Sequence, residues 1–172
     1  MDFGHDITLI VRAQAGERAA VEAMLGAIAP PLRRYLTRLI GQRADDVLQE
    51  TLFRIWKNLG WLREPSLFRP WCYRIATREA LRMMRRERKH EHADDTALAF
   101  VAADIDDPAL RLLAERLVGH VTPQARVVIA AHVLEGLTLE ETAAAAELPL
   151  GTVKSRLASG LKQIRALTES SS

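Results

Sequence analysis

The stretch Thr138–Leu167, TLEETAAAAELPLGTVKSRLASGLKQIRAL, predicts the architecture more clearly than any other part of the chain. Thr138 and Glu141 form a capping-box pattern, in which a hydroxyl and a carboxylate satisfy the free backbone N–H groups at a helix start. The apolar spacing then predicts a short helix over 139–146, a turn, and a second helix over 150–167. Two helices joined in this way are a candidate helix-turn-helix.

The second of these helices has two contrasting faces. Its inward stripe is predicted to consist of Val153, Leu157, Leu161 and Ile164. Polar side chains then face outward, flanked by two basic ones, which suits the major groove of DNA. Small polar residues also occur on exposed helices that bind nothing, so both interpretations stay open. The outward and flanking residues are Thr152, Lys154, Ser155, Arg156, Ser159, Lys162 and Gln163.

Helical spacing extends over nearly the whole chain, and no segment alternates β-branched residues in the manner of a strand. The fold class is therefore predicted to be all-α. Pro30-Pro31 and residues 60–67 are expected to interrupt helices, and Thr122 is expected to cap a helix that starts at Pro123. The remaining predicted helices span 5–15, 17–28, 31–41, 45–59, 68–89, 109–119 and 123–135.

Charge divides the 172 residues into three blocks. Residues 1–90 carry 17 Lys and Arg against 10 Asp and Glu, residues 91–110 carry none against 6, and residues 111–172 carry 7 against 6. A basic block favours a polyanionic partner, although solvated arginines on long helices have the same composition. We predict two small helical domains, 1–90 and 109–172, joined by an acidic linker over 91–108, where a short isolated helix is the alternative.

Composition argues against several classes of protein. An apolar fraction of 48% supports a packed core, while the absence of a long apolar run or a signal-peptide pattern favours a cytoplasmic protein. The one cysteine, Cys72, lies in an apolar run and is predicted to be buried and inert. His90 and His92 do not share a helix face, and the chain has no glycine-rich phosphate loop. We therefore expect neither an enzyme nor a bound metal or cofactor.

The helix predicted around Asp45–Leu59, DDVLQETLFRIWKNL, has an unusual outer face. An aromatic ring beside acids on the outside of a helix suggests a docking partner. Alternatively, the acids favour the helix macrodipole and the ring packs on a neighbouring helix. The predicted buried stripe is Leu48, Leu52, Ile55, Trp56 and Leu59, and the predicted outer face is Asp46, Gln49, Glu50 and Phe53.

Residues 53–89 hold six of the nine aromatic residues among many arginines and lysines. Basic groups follow phosphates while aromatic faces hold unstacked bases, so this mixture suits single-stranded nucleic acid. Core packing is the competing interpretation, and we favour it for Trp56 and Trp71. Residues 62–68 are instead predicted to form a surface loop, and they are better candidates for contact with a base than Trp56 and Trp71.

Three segments carry a resemblance to a known family. DDVLQETLFRIW (Asp45–Trp56), FRPWCYRIATREALRMMRRERK (Phe68–Lys89) and TPQARVVIAAHVLEGLTLEETAAAAELPLGTVKSRLASGLKQIRAL (Thr122–Leu167) resemble bacterial RNA polymerase sigma factors of the extracytoplasmic-function (ECF) group. The resemblance covers nearly the whole chain. It implies a region 2-like domain that binds core polymerase and opens the minus-10 element, and a region 4-like domain that reads the minus-35 element.

The resemblance also implies roles for individual residues. Docking on the clamp helices of the largest polymerase subunit is implied for Asp46, Gln49, Glu50 and Phe53. Contact with minus-10 DNA, including capture of a flipped base, is implied for Arg63, Glu64, Ser66, Leu67, Phe68, Arg74, Arg78 and Arg82. Contact with minus-35 DNA is implied for Thr152, Lys154, Ser155, Arg156, Ser159 and Lys162. The implied partners are core polymerase, including its flap, promoter DNA and an anti-sigma factor, with a monomeric free protein.

Four positions depart from the family pattern. Arg78 and Arg82 stand where many relatives carry Asn and an acid, and Ser159 stands where Arg is frequent. Glu147 replaces the common glycine of the turn, which predicts a different backbone there, since glycine takes positive φ without steric cost. Two alternatives remain open: a free-standing helix-turn-helix regulator and a decoy that sequesters an anti-sigma factor.

Overall fold

The computed structural model of the protein describes residues 6–87 and 108–169. These residues form helices and turns without a strand, which confirms the all-α prediction. The predicted linker lies almost entirely outside the described residues, as do His90 and His92. The helices are α1 (Ile7–Gln14), α2 (Arg18–Ile40), α3 (Ala44–Asn58), α4 (Phe68–Glu87), α5 (Pro108–Leu117), α6 (Pro123–Ile129), α7 (Leu139–Ala146) and α8 (Leu150–Glu169).

The predicted break at Pro30-Pro31 is wrong, because α2 runs through both prolines. Neither proline can donate to a carbonyl one turn earlier, so the helix forgoes two backbone hydrogen bonds. The buried stripe of α2 nevertheless continues past them, with Ile28 on one side and Leu32 and Tyr35 on the other. Tertiary packing of an amphipathic face outweighs local propensity here.

The buried stripe of α3 is rotated from the predicted one. Val47, Thr51 and Ile55 are buried, whereas Leu48 and Leu52 are half-buried and Trp56 is exposed. The prediction of Trp56 as a core residue is therefore wrong. Thr51 can occupy the core because its hydroxyl donates to the Val47 carbonyl at 2.7 Å, which satisfies the polar group inside the helix.

The segment between α3 and α4 consists of two 3-10 turns, Leu59–Trp61 and Pro65–Leu67. Gln14 of α1 anchors this segment, since its Nε2 donates to the Leu59 carbonyl at 3.0 Å and to the Leu62 carbonyl at 2.7 Å. The segment is therefore a structured surface loop, held from below by the first helix.

The carboxy-terminal half contains the predicted helix-turn-helix. Thr138 and Glu141 form the capping box of α7, and the four residues of the predicted inward stripe of α8 are all buried. Helix α6 begins at Pro123 as predicted, but the Thr122 side chain makes no capping hydrogen bond. Glu147 adopts φ 56° and ψ 46°, the left-handed conformation, so the turn keeps the backbone a glycine would give it and the prediction of a different backbone is wrong.

The two halves pack against each other. Helix α4 lies against α7, and residues of α6 and α7 join the core built by α1 to α4. The apolar members contributed by the carboxy-terminal half are Val127, Ala130, Ala131, Leu137 and Ala145.

Glu135 is the polar centre of this interface. Its side chain is 3% exposed and lies just after a π-helical turn, Ala130–Leu134, that follows α6. The carboxylate accepts a hydrogen bond from Arg34 at 3.2 Å, another from Arg38, and a third from the Tyr73 hydroxyl at 3.1 Å. Burial, followed by the charge of Glu135, raises the pKa of Tyr73, which therefore stays a donor.

Replacing Glu135 tests this centre. Glu135→Gln is expected to lower the free energy of unfolding by about 1.5–3 kcal/mol, because it weakens hydrogen bonds between a carboxylate and cationic donors. Urea denaturation measures the change, with Glu140→Gln, at an exposed position on α7, as the matched control. Equal free energies of unfolding for the two variants would contradict the role of Glu135 as the polar centre of the interface.

Gly160 sets the approach of α8 to α6. A Cβ at this position would lie 2.6 Å from Ile129 Cδ1 and 2.9 Å from Ala125 Cβ. In Gly160→Ala we expect overpacking to cost about 1–3 kcal/mol, which exceeds a gain in helix propensity of about 1 kcal/mol. Gly26→Ala, at an exposed position in α2 where a Cβ meets nothing within 4 Å, should instead stabilise the fold. Thermal unfolding of the two variants should shift in opposite directions, and shifts in the same direction would contradict a close contact between α8 and α6 at Gly160.

Candidate functional site: a basic helix, a loop pocket and an aromatic docking face

The outer face of α3 is exposed at all four predicted positions, Asp46, Gln49, Glu50 and Phe53. The Phe53 side chain is 51% exposed, and its ring centre lies 5.9 Å from that of Trp56, which is 53% exposed. Lys57 Nζ lies 6.0 Å from the centre of the Phe53 ring. The face is thus an aromatic pair bordered by acids and one cation. The i, i+3 spacing that brings Phe53 and Trp56 together is visible in the sequence. The apolar periodicity, however, predicts Trp56 in the core, so the exposed pair was missed.

A charged network supports this face from the side of α4. Arg54 Nε donates to Glu50 at 2.6 Å and lies 3.2 Å from a carboxylate oxygen of Glu79, which is nearly buried. Arg82 donates to the other oxygen of Glu79 at 3.2 Å. The network connects the exposed aromatic face of α3 with the arginines of α4.

The loop before α4 and the first turns of α4 enclose an open pocket of about 300 Å³. Trp61, 83% exposed, forms one side, and the half-buried Trp71 forms another. Arg74 also lines the pocket, and its buried Nε has no hydrogen-bond acceptor among the described residues. The other lining residues are Leu62, Arg63, Glu64, Leu67, Pro70 and Ala144.

The predicted loop residues divide into two groups. Arg63, Glu64, Ser66 and Leu67 are exposed, as expected for contact with a base. Phe68 is 2% exposed and packs beside Trp71 with 6.3 Å between ring centres. Its predicted contact with DNA is corrected: the ring belongs to the core beneath the loop, because it begins α4 on the inward side.

Two arginines on the basic side of α4, Arg69 and Arg78, bond to the carboxy-terminal half. Arg78 is exposed, and its guanidinium bonds both oxygens of the Glu147 carboxylate, with Nε at 2.7 Å from Oε2. This hydrogen-bonded pair lowers the pKa of Glu147 and raises that of Arg78. Arg69 donates to the carbonyls of Glu135 and Gly136. Sequence reasoning found the arginines but missed these acceptors, which come from distant positions in the chain.

Helix α8 presents its predicted outer face only in part. Lys162 is exposed, whereas Thr152, Lys154, Ser155, Arg156 and Ser159 are half-buried. Ser155 donates to the Thr152 carbonyl at 3.0 Å, and Ser159 accepts from Gln163 at 3.3 Å. Arg156 lines a cavity of about 160 Å³ together with Leu81, Met84 and Arg85 of α4. The amino-terminal part of α8 therefore borders the interface between the two halves.

Other chemistry finds little support among the described residues. Cys72 is buried, as predicted, and burial raises the pKa of its thiol. Within residues 6–87 and 108–169, no three histidine, cysteine or acidic side chains cluster as a metal site. In the same ranges, no helix has the length and apolar character that crossing a membrane requires.

Comparison with known proteins agrees with this organisation. The family model for sigma-70 region 2 matches residues 24–90, and that for sigma-70 region 4 matches residues 111–164. The ECF RNA polymerase sigma-E factor of Haemophilus influenzae is 25% identical over 168 residues, which cover 88% of this chain and 89% of that protein. The RNA polymerase sigma-H factor of Pseudomonas aeruginosa is 28% identical over 169 residues, covering 88% of each.

Two solved structures share the fold. CnrH, in complex with the cytosolic domain of CnrY, superimposes with a TM-score of 0.69 at 22% identity, over 98% of this chain and 99% of that one. The sigma factor RpoE from Bartonella quintana, in complex with the anti-sigma factor NepR, gives 0.66 at 21% identity, over 86% and 96%. With both family regions matched in order along a helical fold of this kind, the chain belongs to the ECF group of the sigma-70 family of RNA polymerase sigma factors.

Proposed function

We propose that this protein is a promoter-specific initiation factor, which binds core RNA polymerase and directs it to a set of promoters. The observation that carries the proposal is the presence of regions 2 and 4, in that order, over residues 24–90 and 111–164. The protein then acts as an adaptor in the bacterial cytoplasm, and the polymerase supplies the catalysis.

The face of α3 is the proposed docking surface for the polymerase clamp helices. Its exposed aromatic pair, Phe53 and Trp56, offers apolar area, and Asp46 and Glu50 offer negative charge beside it. Aromatic anchors surrounded by charged residues are typical of the centre of a protein interface. Trp56 is therefore added to the docking residues predicted from the sequence.

The pocket beside Trp61 is the proposed site for a base flipped out of the minus-10 element. Aromatic and apolar walls suit a nucleobase, and the Arg74 side chain adds a cationic group to the lining. Arg78 and Arg82, on the next turns of α4, are the proposed contacts to phosphates. The outer residues of α8, from Thr152 to Lys162, are the proposed contacts to the minus-35 element.

Regulation by an anti-sigma factor is part of the proposal. Its support is the fold shared with CnrH and with the Bartonella RpoE, whose structures contain CnrY and the anti-sigma factor NepR respectively. A free-standing DNA-binding regulator would not need the aromatic face of α3, and a decoy would not need the basic side of α4.

Run-off transcription tests the function directly. Purified core polymerase from the source bacterium transcribes sheared genomic DNA with and without the protein. Discrete new transcripts, whose upstream regions align into two elements, are the expected result. Binding to core without new transcripts would favour the decoy, and no binding to core would favour the free-standing regulator.

Substitutions on α3 test the docking surface. Glu50→Lys combined with Phe53→Ala should weaken binding to core polymerase about tenfold or more, because a central anchor of an interface contributes at least ~1–2 kcal/mol. Trp56→Ala alone should weaken it as well. Leu112→Ala, at an exposed apolar position on α5, is the matched control and should leave the affinity unchanged. Affinity is measured by fluorescence titration with labelled core, and unchanged binding of the α3 variants would reject this surface.

A further inference from the structure

Glu79 of α4 is a nearly buried carboxylate between α3 and α4, and its side chain is 9% exposed. One of its oxygens, Oε1, lies 3.2 Å from Nε of Arg54 on α3. The other, Oε2, accepts a hydrogen bond from Nη1 of Arg82 on α4 at 3.2 Å. Each oxygen thus serves one guanidinium, so both helices together set the orientation of the carboxylate.

A carboxylate at this position carries an energetic cost that an apolar side chain would not. Moving a charge out of water is costly unless the charge is paired. Apolar side chains of similar volume, when well packed, often give equal or greater stability than such a buried pair. Stability alone therefore gives no reason for a glutamate here, whereas the geometry that it imposes on its partners does.

Arg54 holds Glu79 from the side of α3. Its Nε donates to Glu50, one turn earlier on the same helix, at 2.6 Å as well as lying close to Glu79. The Arg54 side chain is half-buried, so the two carboxylates fix a group that has little freedom to move. Arg54 therefore orients the Glu79 carboxylate, and the carboxylate directs its second oxygen at Arg82.

Arg82 keeps most of its donors for another acceptor. A guanidinium carries five N–H donors, and Arg82 uses Nη1 for Glu79 while its side chain is 48% exposed. Arg78, one turn earlier, instead has Nε and Nη2 bonded to the Glu147 carboxylate. Of these two arginines, Arg82 is therefore the one whose Nε–Nη2 edge has no acceptor among the residues that the structure describes.

Competing acceptors lie across an open groove from Arg82. The groove has a volume of about 430 Å³, and Arg82 and Arg86 of α4 line it together with Asp46 and Glu50 of α3. Glu79 also lines it. An arginine without a fixed partner on α4 could pair with the acids of α3, which are the acids proposed to dock on polymerase. Glu79 supplies that fixed partner.

We propose that Glu79 is a positioning residue for Arg82. It holds one end of the guanidinium on α4, so that the Nε–Nη2 edge stays available for a phosphate of the promoter strand and does not turn toward α3. The proposal rests on the proposed function, since it takes Arg82 as a contact to DNA. A guanidinium pairs with a phosphate through two parallel bonds only in a defined orientation, so a residue that sets this orientation contributes to binding without touching the DNA.

A double-mutant cycle on the full-length protein tests the positioning role. Arg82→Ala should weaken binding of a fluorescein-labelled, random-sequence 20-nucleotide single strand about three- to fivefold, the strength of one exposed ionic contact. It should also reduce the slope of log K against log salt by about 0.7, the value for one phosphate of a single strand. In a Glu79→Gln background, the same substitution should change the affinity by less than about 1.5-fold and leave the slope unchanged.

Glutamine keeps the volume of Glu79 but has one acceptor oxygen, so it cannot serve both arginines. Glu79→Ala is the second variant if Glu79→Gln fails to fold, and thermal unfolding verifies each protein. The matched control is the Arg18–Glu22 ion pair of α2, 2.9 Å long, with side chains 92% and 66% exposed. Arg18→Ala and Glu22→Gln make the same changes in charge, and their effects on affinity should add.

The outcomes separate failure of the positioning role from failure of the proposed function. Equal losses from Arg82→Ala in both backgrounds would overturn the positioning role, while the contact of Arg82 with DNA would stand. Tighter binding by Glu79→Gln, with a larger effect of Arg82→Ala, would also overturn it, because Glu79 would then compete with DNA for Arg82. If Arg82→Ala changes neither affinity nor slope, both assignments are overturned. A loss confined to proteins that carry Glu79 supports the proposal.

Discussion

The arrangement of this protein depends on one buried carboxylate. Glu135 is almost inaccessible to solvent and is held by Arg34 and Arg38 of α2 and by Tyr73 of α4. A buried charge is costly unless it is paired and hydrogen-bonded, so these donors must converge wherever Glu135 lies. The carboxylate therefore holds the end of the π-helical turn against α2 and α4. Because the helix-turn-helix comes directly after this turn in the chain, its position on the amino-terminal half is set at the same point.

Apolar packing makes this arrangement a shared core. The short side chains Ala130, Ala131 and Ala145 allow the carboxy-terminal helices to approach α2 and α4 closely, and Leu137 belongs to the same core. The face of α3 with Phe53 and Trp56 lies outside this core and stays exposed. The surface proposed to dock on polymerase is therefore open, while the basic side of α4, proposed to contact DNA, is partly covered by the other domain.

Local patterns predicted much of this from the sequence. Some features depend only on helical periodicity and on contacts within a few residues, so they can be predicted from the sequence alone. These are the capping box at Thr138, the inward stripe of α8 and the exposure of Phe53. Periodicity was less reliable where a polar residue is buried. Thr51 satisfies its hydroxyl on its own helix and so takes a core position, which turns Trp56 outward.

The sequence by itself determined the helical class, the family and the residues with chemistry suited to DNA and polymerase. Only the tertiary structure decided how the two halves sit and which of these residues are covered. Glu135 with Arg34, and Glu147 with Arg78, are separated by 101 and 69 positions, and no periodic pattern relates such pairs. The continuity of α2 through Pro30-Pro31 has the same origin, because burial of side chains on both sides of the prolines outweighs the loss of local hydrogen bonds.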